Sequence, residues 1–169
     1  MKKKKAMKEE EAAPYIKAVF KGLMYLSDHG IVHRDIKVSN IFIHEGEAKI
    51  ADFGFAKATR SKFKDINIGS PIYMSPEGLI DNIYGPKTDV WAFGVLIFEL
   101  LHGQTPYSHC KSENELKYNL SIPIGWSQLK ADLSTDIKEV ILKCLEIDEP
   151  NRFSATQLAN LAYFRKMKN

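Results

Sequence analysis

The stretch HRDIKVSNIFIHEGEAKIADFG, residues 33–54, combines a charged segment with two short β-rich runs that flank a glycine turn. The runs IFIH and AKIAD on either side of EGE predict a β-hairpin centred near Gly46. With that centre, paired residues have numbers that sum to about 91 or 92, so Asn40 lies opposite Asp52, give or take one residue. Since adjacent strands are about 4.8 Å apart, we expect an amide and a carboxylate at the same end of the hairpin.

This pair of side chains suits a divalent metal ion. Two neighbouring oxygen ligands are typical of Mg²⁺ sites, because Mg²⁺ binds few protein ligands and leaves room for phosphates. Asp35 precedes Asn40 by five residues, so it can lie beside such a metal without binding it. A carboxylate in that position can accept a hydroxyl proton. The spacing therefore predicts a magnesium site with a proton acceptor beside it.

Composition excludes several classes of protein. The chain has 169 residues, 44% hydrophobic and 27% charged, which predicts one folded domain with a single hydrophobic core. Its net charge of +3 is too small to indicate a nucleic-acid partner. It has neither an apolar signal core nor a long apolar run, so we expect no membrane segment and a cytoplasmic location. Cys110 and Cys144 lack metal-ligand spacing and are predicted to be reduced, structural thiols.

The charged start of the chain has two interpretations. The run MKKKK is either a nuclear address or a solvated tail, and three glutamates follow it closely. We predict a charged tail over residues 1–9 and one folded unit over residues 10–169.

Helical spacing of apolar residues predicts most of the remaining structure. An amphipathic helix is expected over residues 10–29, and residues 88–103, apolar nearly all round, indicate a buried helix. Residues 52–77 are polar and rich in glycine and proline, which is typical of a loop that is either functional or disordered. Three further helices are predicted over residues 113–120, 134–146 and 154–166. The fold class is therefore mainly α, with one small β-hairpin.

Several motifs in this order resemble those of the eukaryotic protein kinases. HRDIKVSN followed by DFG resembles the catalytic loop and metal motif of that family. Residues 69–77, GSPIYMSPE, resemble the end of the activation segment, and residues 89–94, DVWAFG, the family's central helix. Residues 148–154, DEPNRFS, resemble its late arginine motif. Lys37 and the GSP…SPE pattern are similar to serine/threonine kinases rather than tyrosine kinases.

The resemblance implies a role for each residue of the site. Asp35 would be the catalytic base, Asn40 and Asp52 the Mg²⁺ ligands, and Lys37 a contact to the γ-phosphate of ATP. Phe42 falls where the family places an apolar residue beneath the adenine, although a place in the hairpin core is an equally open interpretation. ATP and Mg²⁺ are thus the expected cofactors, and a protein is the expected substrate.

Other residues resemble positions that regulate activity in the family. Arg34 resembles the arginine that pairs with an activation-loop phosphate, and Thr59, Ser61 and Ser70 are candidate acceptors for an activating kinase. The alternative is that none of these three residues is phosphorylated, because most hydroxyls on polar loops are unmodified. His33 is expected to be a satisfied core histidine.

Scaffold roles follow from the same resemblance. Glu77 and Arg152 match a buried ion pair, and Asp89 matches a residue that braces the catalytic loop. The aromatic residues of the central helix are expected to be core: Trp91, Phe93 and Phe98.

Some kinase elements have no counterpart in the sequence. It contains neither a G-x-G-x-x-G loop nor a strand like V-A-I-K. The resemblance therefore implies a protein-kinase-like carboxy-terminal lobe without the amino-terminal lobe, from a truncated gene model or with the other lobe supplied elsewhere. Two hypotheses remain. One is a serine/threonine kinase fragment with weak or no activity alone; the other is a non-catalytic kinase-like module that docks partners through residues 69–77.

Overall fold

A computed structural model of the chain describes residues 5–66 and 68–166. Residues 1–4, the larger part of the lysine run, lie outside the described residues. The α-helices are α1 (Glu9–Asp28), α2 (Pro76–Asp81), α3 (Pro86–His102), α4 (Glu113–Asn119), α5 (Thr135–Cys144), α6 (Ala155–Leu158) and α7 (Ala162–Arg165). The strands are β1 (Ile31–Val32), β2 (Ile41–His44), β3 (Glu47–Ile50), β4 (Lys57–Ala58), β5 (Phe63–Lys64) and β6 (Ile83–Tyr84). Short 3₁₀ turns occur at Val38–Asn40, Pro71–Tyr73 and Trp126–Gln128.

Helix α3 lies at the centre of the fold and is buried along nearly its whole length. Trp91 and Phe93 are fully buried and Phe98 is 7% exposed, which confirms their predicted place in the core. The helix packs against both α1 and α5. At Gly94 a Cβ would lie 2.5 Å from the Cβ of Cys144, so the close approach of α3 and α5 requires glycine there. None of the helices in the described part of the chain has the length and apolar character needed to cross a bilayer.

The predicted helices are present, with one correction. Helix α1 begins one residue before the predicted range, and its three first-turn glutamates lie where the helix dipole favours negative charge. Ser134 caps α5 by accepting a hydrogen bond from the Ile137 backbone, as expected. The prediction of one helix over residues 154–166 is wrong, because the backbone turns extended at Leu161 between α6 and α7. This turn carries Phe164 onto Phe20, whose ring centroid is 3.8 Å away.

The expected hairpin exists, but it is not the whole of the β-structure. Within residues 5–66 and 68–166 the strands form three two-stranded antiparallel sheets, β1 with β4, β2 with β3, and β5 with β6. The β2–β3 hairpin pairs Ile41 with Ile50 and His44 with Glu47, so its register has the predicted sum of 91. The other two pairs bind the loop that follows the hairpin to the helical body, and we did not predict them.

Candidate active site

The loop that carries the candidate base is anchored by a buried carboxylate. Asp89, in the first turn of α3, accepts hydrogen bonds from the backbone of His33 at 2.6 Å and of Arg34 at 2.9 Å. Burial raises the pKa of Asp89 to about 6, although the two amide donors oppose that shift. The brace predicted for Asp89 is therefore present, and it fixes the backbone directly before Asp35.

His33 is a satisfied core histidine, as expected. Its side chain is fully buried, and its Nε2 lies 3.1 Å from the carbonyl oxygen of Ala51. Its Nδ1 accepts from the Asp35 backbone at 3.3 Å, so the neutral ring carries its proton on Nε2. Burial lowers the pKa of this imidazole, which keeps it neutral at pH 7. His33 thus joins the candidate loop to the end of the hairpin.

Asp35, Lys37 and Asn40 form one cluster around the Asp35 carboxylate. The Asn40 amide donates to Asp35 Oδ2 at 3.0 Å, and the Lys37 ammonium lies 2.7 Å from the same oxygen. The backbone of Ser70 donates to Asp35 Oδ1 at 3.2 Å, while the Ser70 hydroxyl accepts from Lys37 at 2.9 Å. The structure brings together three predicted site residues and adds Ser70 to them. A carboxylate with these donors is held in one orientation, as a general base requires.

The two candidate metal ligands flank the open end of the hairpin, Asn40 directly before β2 and Asp52 two residues after β3. Asn40 pairs with Ala51, whose backbone donates to the Asn40 carbonyl at 3.0 Å, and Asp52 follows by one residue. Because the Asn40 amide nitrogen donates to Asp35, the amide oxygen faces away from that carboxylate. Asp52 is exposed, with a left-handed φ of 64°, and its Oδ1 accepts from Gly54 at 3.4 Å.

The two candidate ligands would suit a magnesium ion better than a metal held wholly by protein. Among the described residues there is no group of three or more His, Cys, Asp and Glu side chains placed to hold a metal. One carboxylate and one amide oxygen would leave most of the coordination sphere to water and phosphate, which is how Mg²⁺ is usually bound.

Phe42 is exposed at the surface of the hairpin. Its side chain is 59% exposed, so the interpretation that it belongs to the hairpin core is wrong. Ile43, Phe53 and Phe55 are also exposed, at 57%, 49% and 39%. Periodicity could not decide this point, because both faces of IFIH carry apolar residues.

Arg34 is paired with a residue that the sequence analysis missed. Its Nη1 lies 2.9 Å from Asp65 Oδ2, and its Nε donates to the Phe55 carbonyl at 2.6 Å. The candidate acceptors Thr59 and Ser61 bond to each other at 3.4 Å. A sequence signal for Asp65 did exist, since it is the one acidic residue in the basic run KATRSKFKD.

Residues 69–77 pass close to the candidate base and are fixed at both ends. At Gly69, where φ is 109°, a Cβ would lie 2.7 Å from the Arg34 carbonyl oxygen, so only glycine fits there. Tyr73 accepts from the Val38 backbone at 3.4 Å and donates its hydroxyl proton to Glu99.

The buried ion pair expected between Glu77 and Arg152 is confirmed. The two guanidinium nitrogens of Arg152 donate to the two carboxylate oxygens at 2.7 and 2.9 Å. Arg152 is 1% exposed, also donates to the Glu146 carbonyl, and places its guanidinium 4.9 Å from the Trp91 ring centroid. The pair fixes the end of the segment that begins at Gly69.

Comparisons with known proteins identify the family of the chain. The family model for the protein kinase domain matches residues 1–164. Mitogen-activated protein kinase kinase kinase 17 of Arabidopsis thaliana is 35% identical over 156 residues, 90% of this chain and 42% of its own length. Mitogen-activated protein kinase kinase kinase 1 of the same plant is 36% identical, over 95% of this chain and 27% of its own length. Serine/threonine-protein kinase STE20 of Debaryomyces hansenii is 35% identical, over 91% of this chain and 15% of its own length.

These matches cover almost the whole chain. The chain itself spans less than half the length of each of these curated relatives. The chain belongs to the protein kinase family.

Proposed function

We propose that this member of the protein kinase family is the carboxy-terminal lobe of a serine/threonine protein kinase, with residues 10–169 as that lobe. Its reaction would transfer the γ-phosphoryl group of ATP to a serine or threonine hydroxyl of a protein substrate. The observation that carries the proposal is the cluster of Asp35, Lys37 and Asn40, in which an ammonium and an amide lie within 3.0 Å of one carboxylate oxygen. The names of the relatives, several of them serine/threonine-protein kinases, support the same substrate class.

In this proposal Asp35 accepts the proton of the substrate hydroxyl. Its carboxylate is 4% exposed and is oriented by the Asn40 amide and the Ser70 backbone, so it needs little reorganisation when the hydroxyl approaches. Lys37 is less buried, at 22% side-chain exposure, and can turn its ammonium from Asp35 towards a phosphate oxygen.

The cofactor contacts are assigned to the hairpin. Asn40 and Asp52 would hold Mg²⁺, which when bound neutralises phosphate charge. Phe42 would lie beneath the adenine ring, and its exposed aromatic face supports this assignment.

We expect weak transfer, or none, from these 169 residues alone. The sequence offers no glycine-rich loop and no V-A-I-K-like lysine to bind the α- and β-phosphates. Half of the electrostatic contacts to the triphosphate are therefore missing from the chain, and affinity for ATP should fall accordingly.

A second candidate function is a non-catalytic kinase-like module that docks partners through residues 69–77. One observation favours it. Asp35, Lys37, Asn40 and Ser70 satisfy each other's charges and hydrogen bonds, so this cluster is stable without a ligand.

A transfer assay separates the two functions. The chain is incubated with Mg-ATP and a generic basic protein, alone and fused behind the amino-terminal lobe of an active serine/threonine kinase. We expect little transfer from the chain alone and clear transfer from the fusion, on serine or threonine, which is lost in Asp35→Asn. Asp81→Asn, a change of the same kind at the exposed end of α2, should leave transfer unchanged.

The opposite result favours the docking module. A folded fusion that binds ATP but transfers no phosphate, or one whose transfer survives Asp35→Asn, contradicts the proposed function.

A further inference from the structure

Asp65 lies at the end of a basic run and connects three parts of the chain. Its Oδ2 is 2.9 Å from Arg34 Nη1 and 3.5 Å from Lys57 Nζ, and its Oδ1 accepts from the Ile66 backbone at 2.9 Å. Its own backbone donates to the Asn82 carbonyl at 3.2 Å. One side chain thus contacts the candidate catalytic loop and β4, while its backbone is fixed beside β6.

The cation that Asp65 meets is largely removed from water. The side chain of Arg34 is 7% exposed, and its guanidinium lies 5.5 Å from the Phe63 ring centroid and 5.6 Å from that of Tyr84. A guanidinium in such surroundings needs an anion, because a buried charge without a partner is costly. The Asp65 carboxylate supplies that anion.

The position of Arg34 links this pair to the candidate base. Arg34 directly precedes Asp35, and its carbonyl oxygen packs against Gly69. The next residue, Ser70, donates its backbone hydrogen bond to Asp35 and accepts one from Lys37. A shift of Arg34 would therefore move the Asp35 carboxylate in two ways, through the backbone that joins the two residues and through the contact of Arg34 with Gly69, which precedes Ser70.

We propose that Asp65 is a positioning residue, whose carboxylate holds residues 57–66 on the catalytic loop through Arg34 and Lys57 and so keeps Ser70 against Asp35. The charge belongs to the unmodified chain, so this arrangement requires no phosphate on Thr59 or Ser61. The benefit to phosphoryl transfer rests on the proposed function, whereas the arrangement itself does not.

Ionisation of Asp65 follows from its contacts. The Ile66 amide and the hydrogen bond from Arg34 hold the pKa of Asp65 below its usual value. A carboxyl group whose pKa is lowered by folding stabilises the folded state at pH values above its usual pKa. This stabilisation is lost as the pH falls through the lowered pKa. The charges that face it are the Arg34 guanidinium and the Lys57 ammonium. Asp65 is thus ionised at neutral pH.

Limited trypsin digestion of the full chain tests the first half of the proposal. The segment carries trypsin sites at Lys57, Arg60, Lys62 and Lys64. Loss of a charge-assisted hydrogen bond should increase cleavage there about tenfold in Asp65→Asn, because cleavage follows the population of the open segment. Asp65→Glu keeps the charge and should restore protection, and the matched control Asp81→Asn should be cleaved like the unchanged chain.

Amide hydrogen exchange tests the second half. We expect the Ser70 amide, which donates to Asp35, to exchange about tenfold faster in Asp65→Asn while amides of α1 are unchanged. Three outcomes overturn the proposal: cleavage of Asp65→Asn at the original rate, an equal rise of cleavage along the whole chain, or an opened segment with the Ser70 amide still protected. Both measurements are made without ATP, so they do not depend on the proposed function. If Asp65→Asn changes cleavage and exchange as expected but the fusion transfers no phosphate, only the proposed function is contradicted.

Discussion

Two arginine–carboxylate pairs hold the loop between the hairpin and α2, and they differ in depth. Arg152 and Glu77 form a two-pronged pair with side-chain exposures of 0% and 15%. Arg34 and Asp65 are joined through one guanidinium nitrogen, with exposures of 7% and 29%. The first pair is surrounded by α3 and carbonyl oxygens, whereas in the second, beside the candidate base, Arg34 is largely buried and only the Asp65 carboxylate is partly exposed.

Arginine–carboxylate pairing thus serves two purposes in this fold. A deep pair cannot lose one partner without leaving a charge in the interior, so it secures the structure. In the shallower pair the carboxylate is partly exposed and the arginine has a second partner, the Phe55 carbonyl, so losing the carboxylate should move the loop more than it destabilises the fold.

The largest effect is expected for Arg152→Met, which leaves Glu77 buried without its cation. The free energy of unfolding should fall by about 3 to 5 kcal/mol, measured by urea denaturation. Changing both residues, as in Arg152→Met with Glu77→Leu, should recover part of the loss. A single variant that unfolds at the original urea concentration would show that the deep pair is dispensable.

The next effect concerns pH and Asp89. Burial raises the pKa of Asp89 to about 6, above the usual 3.8. Its contribution to the free energy of unfolding is therefore fully present below pH 3.8 and is lost as the pH rises through about 6. A shift of this size corresponds to roughly 3 kcal/mol between pH 4 and pH 7. Asp89→Asn should remove this part of the pH dependence of the unfolding free energy. Identical pH profiles for the two proteins would contradict the assignment.

The smallest effect on folding is expected for Asp65→Asn. The urea midpoint should fall less than in Arg152→Met, because Asp65 is partly exposed and Arg34 keeps its hydrogen bond to the Phe55 carbonyl, while trypsin cleavage of residues 57–64 rises. Asp65→Asn that destabilises the protein as much as Arg152→Met would erase the distinction between the two pairs.

Long periodic elements could be predicted from the sequence, and short ones could not. Helix α1 shows a helical period of apolar residues, α3 is a long run that is apolar nearly all round, and the hairpin has a glycine turn between β-rich runs. Strands β1, β4, β5 and β6 have two residues each, so they contain no period to detect. The break at Leu161 arises from packing of Phe164 on Phe20, which is a tertiary contact.

The same limit applies to the site. The spacing within one short loop predicted that Asp35 lies beside the metal site of Asn40, and Asn40 Nδ2 is 3.0 Å from Asp35 Oδ2. Arg34 and Asp65 are 31 residues apart in the sequence. Their pairing depends on the tertiary path of the loop between them, which the local sequence pattern does not predict. The exposure of Phe42 depends on which face of the hairpin meets α1, and IFIH is apolar on both faces.

The central claim is that Asn40 and Asp52 bind one divalent ion beside Asp35. Paramagnetic broadening of amide NMR signals by Mn²⁺, added with ATP in place of Mg²⁺, tests this claim even when binding is weak. We predict that broadening centres on residues 35–40 and 51–54 and disappears in Asp52→Asn but not in Asp81→Asn. Broadening centred elsewhere, such as on the glutamates at the start of α1, or unchanged in Asp52→Asn, would contradict it.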